Sequence, residues 1–309
     1  MFDITSKRFW FFLISIVVIL IGIISLATFG RLRAGIEFSS GSMMTVSFEQ
    51  KVAQGDLRQE LARLGYSNAI VQSAEGGKFY IRTTKLSEEE KTGLKNALMT
   101  KFGNLEEMEF YSVSPMVAVE TVRNAAIGVA VAAIGMLLYI TLAFRKMPNP
   151  FRYGTCAVIA LIHDVLVVLA VFSILGGILG WQVNLMFITG ILAILGYSIN
   201  NTVVVFDRIR ENVSRGVSAN FEVVLNNSLV ETMGRCLNTS ITTVITILAV
   251  LLFVGASIQS FCVVLLVGVI AGTFDSICIA PLLLLVWEKG EWGRFLQWLP
   301  RPAVKAKGR

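Results

Sequence analysis

Residues 9–29 read FWFFLISIVVILIGIISLATF, a run with no charged side chain. About 20 apolar residues in a helix are enough to cross the hydrocarbon core of a bilayer. A backbone in lipid must satisfy its own hydrogen bonds, which an isolated segment does only as a helix. Lys7 and Arg8 stand before the run and no A-x-A cleavage pattern follows it, so it reads as a retained anchor and not as a cleaved signal. Five runs of the same character follow, at 125–144, 155–179, 183–206, 236–254 and 260–287. Composition agrees with a membrane protein: 55% of the 309 residues are hydrophobic and 16% are charged, where a soluble domain carries roughly 25% charged residues. The net charge of +6 gathers at helix ends and in the C-terminal tail, which marks topology rather than a nucleic-acid surface.

Orientation follows from Lys and Arg in the short connections. Lys7 and Arg8 precede the first run, and Arg145, Lys146 and Arg152 lie between the second and third. Arg208, Arg210 and Arg215 follow the fourth, and Lys289, Arg294, Arg301, Lys305, Lys307 and Arg309 follow the sixth. The alternate connections, 180–182 and 255–259, carry no charge. Both termini are therefore expected in the cytoplasm, with residues 31–123 outside. That stretch reads as a small α+β domain. Met43–Phe48 alternates like a strand and Asp56–Leu64 has helical spacing. Ala69–Ser73 and Lys78–Thr83 flank the hairpin turn signal Glu75-Gly76-Gly77. Ser87 and Glu90 form a capping box for a helix to about Phe102, and Glu107–Val113 alternates again. The order βαββαβ is the ferredoxin-like split, held by its core alone because the domain has no cysteine.

The chain thus divides into a cytoplasmic N-terminus and first helix over 1–30, an extracytoplasmic ferredoxin-like domain over 31–123, a five-helix bundle over 124–287 and a basic tail over 288–309. Pro148-Asn149-Pro150 reads as a tight turn. Residues 207–234 read as an amphipathic segment lying along the cytoplasmic membrane surface, or as an ordinary connecting helix. Cys156, Cys236, Cys262 and Cys278 fall in apolar runs without a CxxC spacing and read as small buried hydrophobes. The single histidine, His163, has no Cys or second His to complete a metal site. No Ser/His/Asp, metal or phosphate-loop constellation points to an enzyme or a cofactor.

Ionisable residues inside spans are costly and are functional candidates by default. Asp164 lies mid-way along the third run, Asp275 in the middle of the sixth, and Glu231 and Arg235 open the fifth, while Asn200 and Asn201 lie in the fourth. Each reads either as a functional group or as polar glue between helices. For Asp275, Thr273 and Ser276 are neighbours able to satisfy it locally. The fifth run also carries Asn238, Thr239, Ser240, Thr242, Thr243 and Thr246, a pattern for a bundle interior or a wet path, or for small polar packing residues. Gly268 and Gly272 give the sixth run a small-xxx-small face, and Pro281 should kink it.

The run from Gly196 to Asn212, GYSINNTVVVFDRIREN, resembles the fourth-helix signature of the SecD/SecF family. Leu161-Ile162-His163-Asp164 is similar to the family's third-helix motif, Arg235–Ser240 to its fifth and Gly272–Ser276 to its sixth. Gly35–Gly41 is similar to its Gly-Ile-Asp-Phe-x-Gly-Gly motif, with Ser40 in place of a glycine. The resemblance covers nearly the whole chain and implies a bacterial-type inner membrane. It implies six transmembrane helices of RND-superfamily type with an inserted extracytoplasmic domain. It also implies a heterodimer with SecD, association with the SecYEG channel and YajC, and proton flow that helps pull or release unfolded exported protein. Asp207, Arg208 and Arg210 belong to the signature's cytoplasmic end. The proton-path candidates are Asp164, Asn201, Glu231, Arg235 and Asp275. Arg235 matches an arginine of that path, but Asn201 stands where the family's aspartate belongs, and an amide does not titrate. A non-conducting scaffold that stabilises SecD and the channel is therefore the alternative reading.

A further departure concerns Glu231. The family pattern Ser-Leu-x-Gln-Thr-Leu-x-Arg is matched by Ser228-Leu229-Val230-Glu231-Thr232-Met233-Gly234-Arg235. An acid and an amide have thus changed places between 201 and 231. Four residues separate Glu231 from Arg235, which puts them on one helix face. The expectation is a Glu231–Arg235 pair near Asn201 that takes over the proton-binding role together with Asp164. The competing reading is a surface i,i+4 pair.

Overall fold

The computed structural model describes residues 3–28, 32–73, 77–253 and 256–292. Most of the turn at 75–77, part of the connection 255–259 and the tail from 293 onward lie outside the described residues. Among the described residues, six helices are long and apolar enough to cross a membrane. They are α1 (Arg8–Thr28), α5 (Pro115–Ala143), α6 (Pro150–Leu179), α7 (Leu185–Ser214), α8 (Phe221–Phe253) and the pair α9 (Ala256–Cys278) and α10 (Ala280–Lys289). Between α1 and α5 come α2 (Ile36–Ser39), β1 (Gly41–Phe48), α3 (Gln54–Arg63), β2 (Ile70–Ser73), β3 (Lys78–Thr83), α4 (Glu88–Phe102) and β4 (Leu105–Val113). Two compact units form. One comprises Met1–Ile24, Ala130–Val171 and Gly190–Arg309, the other Ser25–Val129 and Phe172–Thr189.

The second unit contains an antiparallel sheet of order β2-β3-β1-β4. With α3 and α4 as its two crossovers this is the ferredoxin-like arrangement. Alternation in β1 sends Met44, Val46 and Phe48 to one face, where they meet Leu57 and Leu61 of α3 and Leu94 and Leu98 of α4 in one buried cluster. The capping box of α4 is present: Glu90 N–H donates to Ser87 Oγ and Ser87 N–H to Glu90 Oε2. The chain enters β1 through Ser40, which has φ +62° and ψ 169°, a region that almost only glycine occupies. Gly41 follows at φ +123°, with its Cα against the Thr83 carbonyl. The connection after α6 pairs with the chain after α1: Gly35 N–H donates to the Val183 carbonyl at 2.7 Å and Val183 N–H to the Arg33 carbonyl at 2.8 Å.

The first unit is helical. Phe144, Tyr153 and Phe206 stack and cross at centroid distances of 5.3–5.9 Å, fixing α5, α6 and α7 around the turn at Asn149. Gly268 and Gly272 bring α9 against Ile194 and Ser198 of α7, which is the close approach small residues allow. The sixth run breaks at Ile279, and Pro281 lies in the first turn of α10, where its missing N–H costs least.

One expectation is corrected. Residues 207–234 do not form a separate surface helix: α7 continues to Ser214 and α8 runs unbroken from Phe221, so only residues 215–220 connect them. Val224, Leu225, Ser228, Leu229 and Thr232 are buried along the start of α8, and this burial carries one helix straight into the span.

Candidate functional site

Successive residues of a helix point about 100° apart, so His163 and Asp164 leave α6 in different directions, and both reach Asp275 of α9. The His163 Nδ1 lies 2.7 Å from Asp275 Oδ2, and its Nε2 meets the Ser15 hydroxyl of α1. Asp164 Oδ2 accepts a hydrogen bond from Ser198 Oγ of α7 at 2.6 Å. One side-chain nitrogen or oxygen from each of His163, Asp164 and Asp275 falls within 4.8 Å of the others. Both aspartates are fully buried and His163 and Ser15 nearly so. The second oxygen of each carboxyl, Oδ1, has no hydrogen-bond partner, and no Lys or Arg among the described residues pairs with either carboxyl. Two unit negative charges no more than 4.8 Å apart repel by at least about 3 kcal/mol at an effective dielectric constant near 20. The cluster therefore asks for a positive charge.

A second polar layer adjoins it. Ser276 and Thr202 hydroxyls lie 2.9 Å apart, and Ser276 also donates to the Ser198 carbonyl at 3.3 Å. Thr273 donates to Ser240 Oγ at 2.5 Å, Asn201 Nδ2 donates to the same oxygen at 3.2 Å, and Tyr197 OH reaches Thr243 at 3.2 Å. Asn201 thus serves as a buried hydrogen-bonding residue between α7 and α8.

The remaining candidates lie apart. Glu231 does not pair with Arg235. It accepts from Arg208 at 2.6 Å and from Asn212 at 2.9 Å, because α7 and α8 run side by side at this end and the signature arginine lies opposite. Asp207 pairs with Arg210 at 2.5 Å. Arg235 is exposed, and no carboxylate pairs with its guanidinium among the described residues. It shares an exposed face of α8 with Asn238, Thr242 and Thr246. The threonine hydroxyls bond back to carbonyls of their own helix. Nor do Thr273 and Ser276 satisfy Asp275; they bind Ser240 and Thr202, and the partner of Asp275 is His163. Sequence reasoning passed over His163 because a lone histidine completes no metal set. The usable signal was a His-Asp pair inside an apolar run with one further acid in another.

A family profile described as "Protein export membrane protein SecD/SecF, C-terminal" matches residues 94–290. The chain belongs to the SecD/SecF family. Among its SecD/SecF relatives, the protein translocase subunit SecF of Thermobaculum terrenum is 41% identical, over 96% of this chain and 97% of that one. The SecF of Anaerolinea thermophila is 38% identical, over 98% and 99%. Among solved structures, SecDF of Thermus thermophilus, a translocon-associated membrane protein, superposes with a TM-score of 0.82 at 28% identity. That match covers 93% of this chain and 39% of the SecDF chain, so the present chain spans about two fifths of that protein. With six apolar helices, this member of the family is a multi-pass membrane protein.

Proposed function

We propose that the chain is the SecF-type subunit of the Sec protein-export translocase, paired with SecD, and that the pair uses the proton gradient to promote late translocation and release of exported protein. The observation that carries the pairing is the exposed face of α8. Arg235 and Asn238 lie on a spanning helix, and no carboxylate of this chain's described residues meets the arginine. An unpaired guanidinium facing lipid is expensive, so this face requires a polar partner from another helical bundle. The SecDF chain is longer than this one, which covers 39% of it, and the proposal takes the added length as the source of that partner bundle. SecYEG, YajC and the unfolded substrate enter the proposal through the family alone, as do the cytoplasmic termini and the extracytoplasmic placement of residues 31–123. Neither Asn201, which is an amide, nor Glu231, which is bound to Arg208, is assigned the proton.

The scaffold reading draws on the same amide at 201 and differs in one outcome. Membrane vesicles holding SecD, the channel and this chain are supplied with an export substrate arrested late in translocation. The proposal expects release to depend on this chain and to stop when an uncoupler collapses the gradient. Release that depends on the chain but ignores the uncoupler would establish the scaffold instead.

A further inference from the structure

The face of α8 accounts for a partner but leaves the buried His163–Asp164–Asp275 cluster without a task. We infer that this cluster is a proton-binding site of the chain itself, holding one exchangeable proton shared by the two carboxyls, with His163 as its link to α1. The inference rests on the reading of a proton-coupled subunit and supplies that reading with its titratable group.

The geometry favours a proton over a metal ion. A metal would need a ring nitrogen with a free lone pair, and both nitrogens of His163 are engaged, Nδ1 with Asp275 and Nε2 with Ser15. Each carboxyl has one oxygen fixed by a neighbour and one buried oxygen with none. An added proton has a place on either free oxygen and relieves the like-charge contact wherever it sits. Transfer within the cluster breaks an O–H bond on Asp164 Oδ1 and forms one on Asp275 Oδ1, leaving the total charge unchanged. Loading and release change that charge by one.

The surroundings add one further titratable group, a thiol. Facing the cluster are Ser15 from α1 and Ser198 from α7, while α9 adds Cys278, one turn beyond Asp275 and itself buried. Loading is therefore felt by three further helices. Asp164 holds α7 through Ser198, Asp275 lies on α9, and His163 holds α1 through Ser15. The polar layer of Thr202, Ser276, Thr273 and Ser240 continues from Ser198 toward α8.

The test is infrared difference spectroscopy on the full chain co-expressed with SecD and reconstituted in lipid vesicles, read on acidification. The expected signal is a carbonyl band of a protonated carboxylic acid that shifts in heavy water. Asp164→Asn and Asp275→Asn should each remove it or reduce it by at least half. His163→Gln should change the proton affinity read from its midpoint about tenfold. Ser198→Ala, which leaves all three titratable groups in place, should keep the amplitude and shift the band frequency. Co-elution with SecD verifies that each variant is assembled. The inference is overturned if no such band forms, if both aspartate variants retain it in full, or if its amplitude follows sodium or zinc concentration instead of pH. A band that behaves as expected in a protein whose export activity ignores the gradient would uphold the proton site and refute the coupled function.

Discussion

Gly272→Ala tests the contact on which the cluster depends. A Cβ at Gly272 would stand 2.7 Å from Ser198 Oγ, 2.8 Å from its Cβ and 3.3 Å from its Cα. Rotation of the hydroxyl relieves only the first of these, so α7 must retreat from α9. Overpacking of this kind costs about 1–3 kcal/mol. Ser198 is also the donor to Asp164 at 2.6 Å, and a hydrogen bond to a charged group contributes about 1.5–3 kcal/mol. The two losses overlap, since one movement produces both, and the expected destabilisation is about 2–4 kcal/mol. Gly268→Ala is the control. The three atoms nearest its Cβ would be side-chain atoms of Ile194, the first at 2.5 Å, so it strains the same helix pair away from the Ser198–Asp164 contact. The double variant Gly272→Ala/Ser198→Gly restores the space but not the hydrogen bond. Thermal unfolding of the SecD complex in lipid nanodiscs should show both glycine variants destabilised and the double variant relieved of the overpacking alone, still short of the parent by the lost hydrogen bond, about 1.5–3 kcal/mol. Gradient-dependent export should survive in Gly268→Ala and fail in Gly272→Ala and in the double variant alike. Full export by the double variant would refute the claim that Ser198 matters through Asp164, and an unshifted unfolding temperature in Gly272→Ala would refute the close approach itself.

Three other outcomes follow from the same structure. Ser40→Gly should stabilise the sheet domain by about 1 kcal/mol, because glycine adopts φ +62° without the strain a side chain carries; the measure is slower hydrogen exchange along β1, and unchanged exchange would count against strain at Ser40. Glu107 lies 2.7 Å from Lys91 and 3.2 Å from Lys95, and the Lys91 hydrogen bond holds its carboxyl below the usual glutamate range. That contribution, no more than about 1 kcal/mol, is complete above the unfolded-chain pKa and is lost as pH falls through the lower folded value. Glu107→Gln should therefore lower protection in α4 and β4 at neutral pH by up to about 1 kcal/mol and leave it unchanged in acid, which flattens the acid limb. Glu231→Gln removes an exposed pair with Arg208 and should cost about 1 kcal/mol or less with export intact; a loss of export would return the proton-binding role to Glu231.

The elements with strong local signals were legible. The apolar runs, the capping box at Ser87, the alternation of β1 and the small-residue face of α9 each depend on residues within one helix or strand, and the structure contains them all. Segment 207–234 was misread for a physical reason. Charged residues there mark the water-facing ends of two helices, and charge density does not distinguish the end of a spanning helix from a helix lying on the surface. Only the buried row Val224, Leu225, Ser228, Leu229 and Thr232 makes the difference, and that row is defined by neighbours from other helices.

The site was legible only as a set of costly residues, because their pairing is a tertiary fact. Glu231 and Arg235 share a helix face by spacing, and spacing suggested a pair. A side chain at the lip of a bundle is equally near the helix beside it, and there Arg208 offers a fork and Asn212 a second donor. Helix spacing permits an i,i+4 contact worth a few tenths of a kcal/mol, and one better-placed cation outweighs it. In the interior the argument runs the other way. With an amide at 201, the described carboxylates buried within the spans are Asp164 and Asp275, on the third and sixth runs. These two runs meet where Ser198 and Gly272 let α7 and α9 approach, and His163 connects that meeting point to α1. On the reading proposed above, the acid that resemblance places on the fourth helix is replaced not by Glu231, which Arg208 and Asn212 already bind, but by the buried pair Asp164 and Asp275, where the charge state of two carboxyls would bear on the packing of four helices.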